Sequence, residues 1–325
     1  MKSKRNLILI MALLIAAGVI FFIERPFERN GRVAEGDLLV FPDFEPWKVN
    51  KIYVGSRNLM FENREGNWLL ITESGAYSAD RNQIAALLQA IRELKRDNIA
   101  SESRDKQSLF GLNATEGIEV IAYDLEGQKI ADFWVGKKGP DGLSAYVKRA
   151  DTDEIVLQPG NLRDHLDKPL KLWRDRKVFP VKADDVVEIT LQVQEETVVL
   201  NRDTQGGWFL VKPMARKADG GRIEQMLTVL NDLEAVDFAD QLKPVEAGLT
   251  TPTLRLGVRL KDRSTKMLLV GQAANEWGYY AMTGEGQSVV VLQNAVLRVL
   301  FPEVKELEAS SVDVPVKEPK DCVIC

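Results

Sequence analysis

Gly66-Asn67-Trp68-Leu69-Leu70 returns further along the chain as Gly206-Gly207-Trp208-Phe209-Leu210, and that echo governs how the rest is read. Upstream of it, Val49-Asn50-Lys51-Ile52 is matched by Val186-Val187-Glu188-Ile189. Downstream, Ala79-Asp80 with Ile84 and Leu88 is matched by Ala218-Asp219 with Ile223 and Leu227. Gly111-Leu112, Val135-Gly136, Tyr146 and Val156-Leu157-Gln158 then find Gly248-Leu249, Val270-Gly271, Tyr280 and Val291-Leu292-Gln293. The spacing drifts from 137 to 140 and back to 135, as short loop insertions and deletions would make it. Seven blocks in one order are a duplication, so the fold to be explained is one module used twice.

Each copy carries the same elements. Ile189, Leu191 and Val193 alternate with polar neighbours, the period of a half-buried strand, and a glycine turn leads on to the strand that holds the tryptophan. Asp80 with Gln83 three residues on reads as a capping box, followed by an apolar stripe of Ile84, Leu87, Leu88, Ile91 and Leu94. The second copy repeats the stripe with Ile223, Met226, Leu227, Leu230 and Leu233. A hairpin over Ile118–Val135 turns at Asp124-Leu125-Glu126-Gly127; two short strands and a short helix (161–167; 294–300) close the unit. One main helix on an antiparallel sheet, twice over in tandem, is an α+β architecture. The expected boundaries are 38–170 and 183–303 for the modules, 171–182 for a solvated basic linker, and 304–325 for a mobile tail rich in Pro, Val, Glu and Lys.

The amino terminus sets the address. Lys2, Lys4 and Arg5 precede an uncharged apolar run over residues 7–23, within a stub-and-anchor segment 1–30. As a helix the run is roughly 26 Å long, close enough to the hydrocarbon thickness for flanking charges to make up the difference. The positive charges in front keep the short tail in the cytoplasm and put the large domain outside it, periplasmic on a bacterial inner membrane. Cleavage after Gly18 is the alternative, though it would leave Val19–Ile23 as an apolar new terminus. The formal net charge of −5 argues against nucleic acid as a partner.

Chemistry-bearing residues are sparse. His165 is the one histidine, and Cys322 and Cys325 are the two cysteines, in a terminal Cys-x-x-Cys. No zinc-protease, nucleophile-elbow or phosphate-loop motif occurs, so no catalytic, cofactor-binding or metal-binding residue and no cofactor is assigned. His165, whose second-copy counterpart is apolar, reads as a surface residue. Trp68 and Trp208 read as core packing rather than sugar platforms, and Asp80 and Asp219 as helix caps. Gly136 and Gly271 read as punctuation where a strand ends. The cysteine pair supplies two zinc ligands of four and lacks the context that activates a redox thiol.

Leu39-Val40-Phe41-Pro42-Asp43-Phe44, Gly66-Asn67-Trp68, Tyr77-Ser78-Ala79-Asp80, Val135-Gly136, Tyr146-Val147 and Trp173-Arg174-Asp175-Arg176 resemble the bacterial family catalogued as domain of unknown function 4340. The resemblance covers about 38–302 and transfers no functional residue. It implies a membrane-anchored partner of an ABC-2-type transporter related to the gliding-motility export systems. The expected function is a non-enzymatic extracytoplasmic accessory subunit, contacting the permease or a sister ectodomain protein. The alternative is a cell-envelope polysaccharide or peptidoglycan binding module acting through loops 137–145 and 272–279.

Overall fold

Alternation along the strands decides which face of each sheet is buried. In β1 (Lys51–Val54) Ile52 and Val54 point inward, and their partners Phe61 and Leu59 in β2 (Leu59–Arg64) lie on the same face. The meander continues through β3 (Asn67–Thr72) and β4 (Gly75–Ser78) to α1 (Arg81–Arg92). β5 (Ile99–Ser101) and a 3-10 segment (Arg104–Phe110) follow, then β6 (Ile118–Tyr123), β7 (Lys129–Lys138), β8 (Ala145–Arg149) and β9 (Ile155–Gln158). α2 (Leu162–Leu166) and a 3-10 turn (Leu170–Leu172) complete the module. These strands form one antiparallel sheet in the order β4-β3-β2-β1-β6-β7-β8-β9-β5. α1 lays Ile84, Leu87, Leu88 and Ile91 on its inner face, each side chain contributing about 1.5–3 kcal/mol of burial.

This computed structural model describes residues 38–55, 58–284 and 288–309, and the chain divides into two units at Arg174/Asp175. The second unit repeats the first. Its strands are β10 (Val186–Val193), β11 (Glu196–Arg202), β12 (Trp208–Lys212), β13 (Arg216–Lys217), β14 (Asp237–Phe238), β15 (Leu254–Leu260), β16 (Thr265–Asn275), β17 (Gly278–Thr283) and β18 (Val290–Gln293). They run β13-β12-β11-β10-β15-β16-β17-β18-β14, each strand standing where the one nine before it stands in the first sheet. α3 (Gly220–Asn231) matches α1, and α4 (Asn294–Leu300) matches α2. The duplication read from the tryptophan blocks is therefore a duplication of topology. The anchor at 7–23 and the pair Cys322 and Cys325 lie outside the described residues. Among the described residues no helix is long and apolar enough to cross a membrane.

The module boundaries differ from those expected, because each copy is fastened at both ends by short segments with no period of their own. At the front, Val40 N–H donates to Leu94 O at 2.8 Å, and Val178 N–H donates to Leu233 O at 2.9 Å in the second copy. Val40-Phe41-Pro42 and Val178-Phe179-Pro180 are thus the same element, a further recurrence of sequence between the two copies. At the back, Asp80 N–H donates to Trp173 O at 2.8 Å, and Asp219 N–H to Leu307 O at 2.9 Å. Trp173, Phe179 and Leu307 are all buried. The expected solvated linker at 171–182 is instead the closing segment of one module and the opening segment of the next, with Asp175 between them. The first residues of the expected tail, up to Glu308, which bridges Ala218, belong to module 2.

The capping boxes also close differently. Asp80 caps α1 by accepting from Asn82 N and Gln83 N, as expected. Gln83 does not reach back to the Asp80 N–H, however, because the Trp173 carbonyl already holds it. Gly136 and Gly271 are not strand ends. They sit inside β7 and β16 at breaks in register, where a Cβ would collide with the carbonyl oxygens of Phe110 and Ala247.

Candidate functional site

Freed from the capping box, the Gln83 side chain turns to the Lys168 ammonium, which donates to its Oε1. Lys168 Nζ lies 3.7 Å from the centre of the Trp173 ring, a close cation–π contact. Trp173 is tilted against Phe61 at 5.0 Å and meets the His165 ring edge-on at 5.2 Å. Asp80, Gln83, His165, Lys168 and Trp173 so form one partly buried polar cluster at the start of α1. Burial pushes His165 down to about 4; the Lys168 charge adds to this and a hydrogen bond with the Gln83 backbone opposes it. Burial likewise pushes Lys168 down to about 8, against the pull of Asp80. The expected surface histidine is therefore a neutral ring wedged beside Trp173, with Nε2 buried and without a hydrogen-bond partner. Its own neighbours in sequence, Asp164 and Asp167, gave no sign of this. The burying groups come from residues 83 and 173.

His165 also stands at one end of a groove of ≈ 940 Å³ between the far half of α1 and the segment 158–165. Leu39, Ala86, Ala90, Leu94 and Leu162 supply apolar lining, and Gln89, Glu93, Lys95, Asp97 and Asn161 the polar part. Gln158, buried, braces the wall: its Oε1 accepts from Lys95 N at 2.9 Å and its amide donates to Lys95 O. Of the basic side chains, Arg92 is held in an ion pair with Glu45 at 3.1 Å, and Lys95 stands beside Glu93 and Asp97 in the lining. The rim therefore carries both signs.

The second module shows why the first is open. Gln158 and Gln293 are equivalent, and in module 2 helix α4 starts at once with Asn294-Ala295-Val296. Module 1 has Pro159-Gly160-Asn161 there, with Gly160 at φ +88°, outside the helical region, so α2 starts only at Leu162. One helical turn is missing. In module 2 that turn brings Val296 against the core together with Val229 of α3, whose counterpart in α1 is the smaller Ala90.

The remaining sequence candidates fall into structural roles. Trp208 is buried in the module 2 core, and Trp68 packs half-buried against the module 1 core. Asp219 caps α3 through Arg222 N at 3.1 Å. Lys137 and Lys138 lie on β7, with Lys138 paired to Asp164 at 2.7 Å. Among the described residues no three His, Cys, Asp or Glu side chains come together as metal ligands.

A family model described as a domain of unknown function, DUF4340, matches residues 68–252, more than half of the chain. The chain belongs to the DUF4340 family. The DUF4340 match begins at Trp68 on β3, takes in α1, the groove wall, the Trp173 segment and α3, and ends just before β15. It straddles the module boundary, so the family region includes both the groove and the joint. No curated protein and no solved structure matches the chain.

Proposed function

We propose that the chain is a non-enzymatic, membrane-tethered accessory subunit whose duplicated ectodomain binds other proteins outside the cytoplasm, in an ABC-2, gliding-type transport system. The groove of module 1 carries the reading. It joins an apolar floor to a rim of both charge signs and is braced by buried Gln158, a lining suited to a polypeptide rather than to a small charged substrate. The apolar run at 7–23 supplies the tether, with the amino terminus inside. The partner is the permease or a sister ectodomain protein.

The test is purification of the full chain from native membranes in detergent, with identification of what accompanies it. A permease and an ATPase in stoichiometric amounts are expected. A chain that is released by alkaline carbonate and travels alone would overturn the reading. A second reading, an envelope-polysaccharide module, is favoured by one observation: Trp277 is 73% exposed at the tip of the β16–β17 hairpin. Binding to isolated cell wall that is lost in Trp277→Ala, with the fold intact, would select it.

A further inference from the structure

We infer that the module 1 groove receives an α-helix of a partner protein, in the place that module 2 fills with the first turn of its own helix α4. This deepens the proposed function and rests on its reading of the ectodomain as a protein-binding subunit.

The duplication supplies the comparison. Both modules have the same strand order, the same helix on the same sheet, and the same glutamine, Gln158 or Gln293, at the end of the strand that leads into the second helix. In module 2 the space beyond that glutamine holds helical backbone, and α3 and α4 pack against each other. In module 1 Pro159-Gly160 turns the chain away, and α1 and α2 make no contact of that extent. What is left is an open groove of ≈ 940 Å³ beside α1.

The wall has changed to suit a larger visitor. Ala86 and Ala90, one turn apart on α1, replace Gln225 and Val229 of α3. Small side chains at that spacing give a shallow ridge on which a second helix can approach closely. Ala86 is exposed, and Ala90 and Val229 are both half-buried against their own cores, so the alanine differs from the valine by its smaller size. Leu39, Leu94 and Leu162 then give the visitor apolar contacts at floor and ends, and Gln89, Lys95 and Asp97 give polar ones along the rim. A helix with branched or small apolar residues at i, i+3 and i+4 and polar residues elsewhere fits this lining. With both signs on the rim, selection rests on shape more than on net charge.

The experiment places a photo-crosslinking amino acid at Ala86 in the full chain, expressed in its native membrane, with the same probe at Ala85 and at Gln225 as references. The expected product is a discrete adduct from Ala86 alone. Its partner peptide, mapped by mass spectrometry, should be an amphipathic helical segment of another protein. Ala90→Arg should lower its yield by about tenfold or more, the effect of losing ~1.4 kcal/mol of binding. Replacing Pro159→Asn, Gly160→Ala and Asn161→Val together with Ala90→Val should abolish it by restoring the missing turn. Ala90→Arg keeps the test decisive if the fourfold variant does not fold. An Ala86 yield no higher than at Ala85 overturns the inference. So do adducts only to lipid, to another copy of this chain or to an extended segment, and a yield unchanged by Ala90→Arg. If transporter subunits still co-purify while the groove stays silent, the accessory reading stands and only the groove assignment falls. A helical adduct from a protein unrelated to transport does the reverse.

Discussion

Ending the chain at Pro302 instead of Ala309 should destabilise module 2 by about 4 kcal/mol. The deletion removes Leu307, a fully buried leucine, whose loss by itself is of the size of a Leu→Ala core change, about 2–5 kcal/mol. It also removes the Leu307 carbonyl that takes the Asp219 N–H and the Lys217 carbonyl's bond from Ala309 N–H, each worth about 1 kcal/mol net. Two exposed ion pairs go as well, Arg216–Glu308 and Arg222–Glu306, which add little. A module of about 135 residues unfolds with an entropy near 0.28 kcal/mol/K, so about 4 kcal/mol lowers its midpoint by roughly 14 °C. Thermal unfolding of the detergent-purified protein ending at Pro302, at Ala309 and at Cys325 measures it. The two longer chains should melt together and the shortest well below them. A difference under about 3 °C between the Pro302 and Ala309 ends would mean that the segment adds less than ~1 kcal/mol, and the fastening described here would be wrong.

The equivalent change in module 1, Trp173→Ala, should cost about 3–5 kcal/mol, read in the same melts; an unshifted transition would refute the ring's place in the core. His165 has its proton affinity lowered in the fold, so the unfolded chain binds the proton first and stability drops as pH falls from about 6.5 to about 4. At full strength that is ~3 kcal/mol, cut by solvent screening to about 1–2 kcal/mol. Urea titrations of the wild type and His165→Leu at pH 7 and 4.5 should show the variant losing less on acidification, and equal losses would disprove the effect. Lys168→Met should leave stability at pH 7 unchanged or raised, since burial disfavours the charge, and a loss above ~2 kcal/mol would show that the Gln83 and Trp173 contacts outweigh it. Gly136→Ala and Gly271→Ala should each destabilise their own module by about 1–3 kcal/mol through a clash with a backbone carbonyl; a neutral result at both would refute the close approach.

The elements that were legible in the sequence are those with a period. β10 declares itself by strict alternation, α1 and α3 by their apolar stripes, and the two sheets by blocks that recur in one order. The fastening segments have no period, because a single backbone hydrogen bond and one large buried side chain make each of them. Trp173 consequently looked like part of a basic run, Lys171 to Lys177, when its ring was the central fact. The recurrence of Val-Phe-Pro at 40–42 and 178–180 was the available signal. The groove was harder to see, since it is made by a missing turn and shows only when Pro159-Gly160-Asn161 is laid beside Asn294-Ala295-Val296. His165 reads as exposed for a related reason: Gln83 of α1 and Trp173 of the closing segment bury it, and neither stands beside it in sequence.

Asp175 has a mechanical meaning. On one side of it the chain is pinned by the Trp173 carbonyl and the Ala79–Arg174 bridge, and on the other by the Lys177–Glu234 bridge and the Val178 hydrogen bond. One residue, spanning no more than about 3.6 Å, separates the two pinned points along the chain. Tension along the chain would reach the closing segment of module 1 and the opening segment of module 2 before it stretched anything else. In module 1 the load would fall on the bond at the start of α1, and in module 2 on the bond just beyond the end of α3.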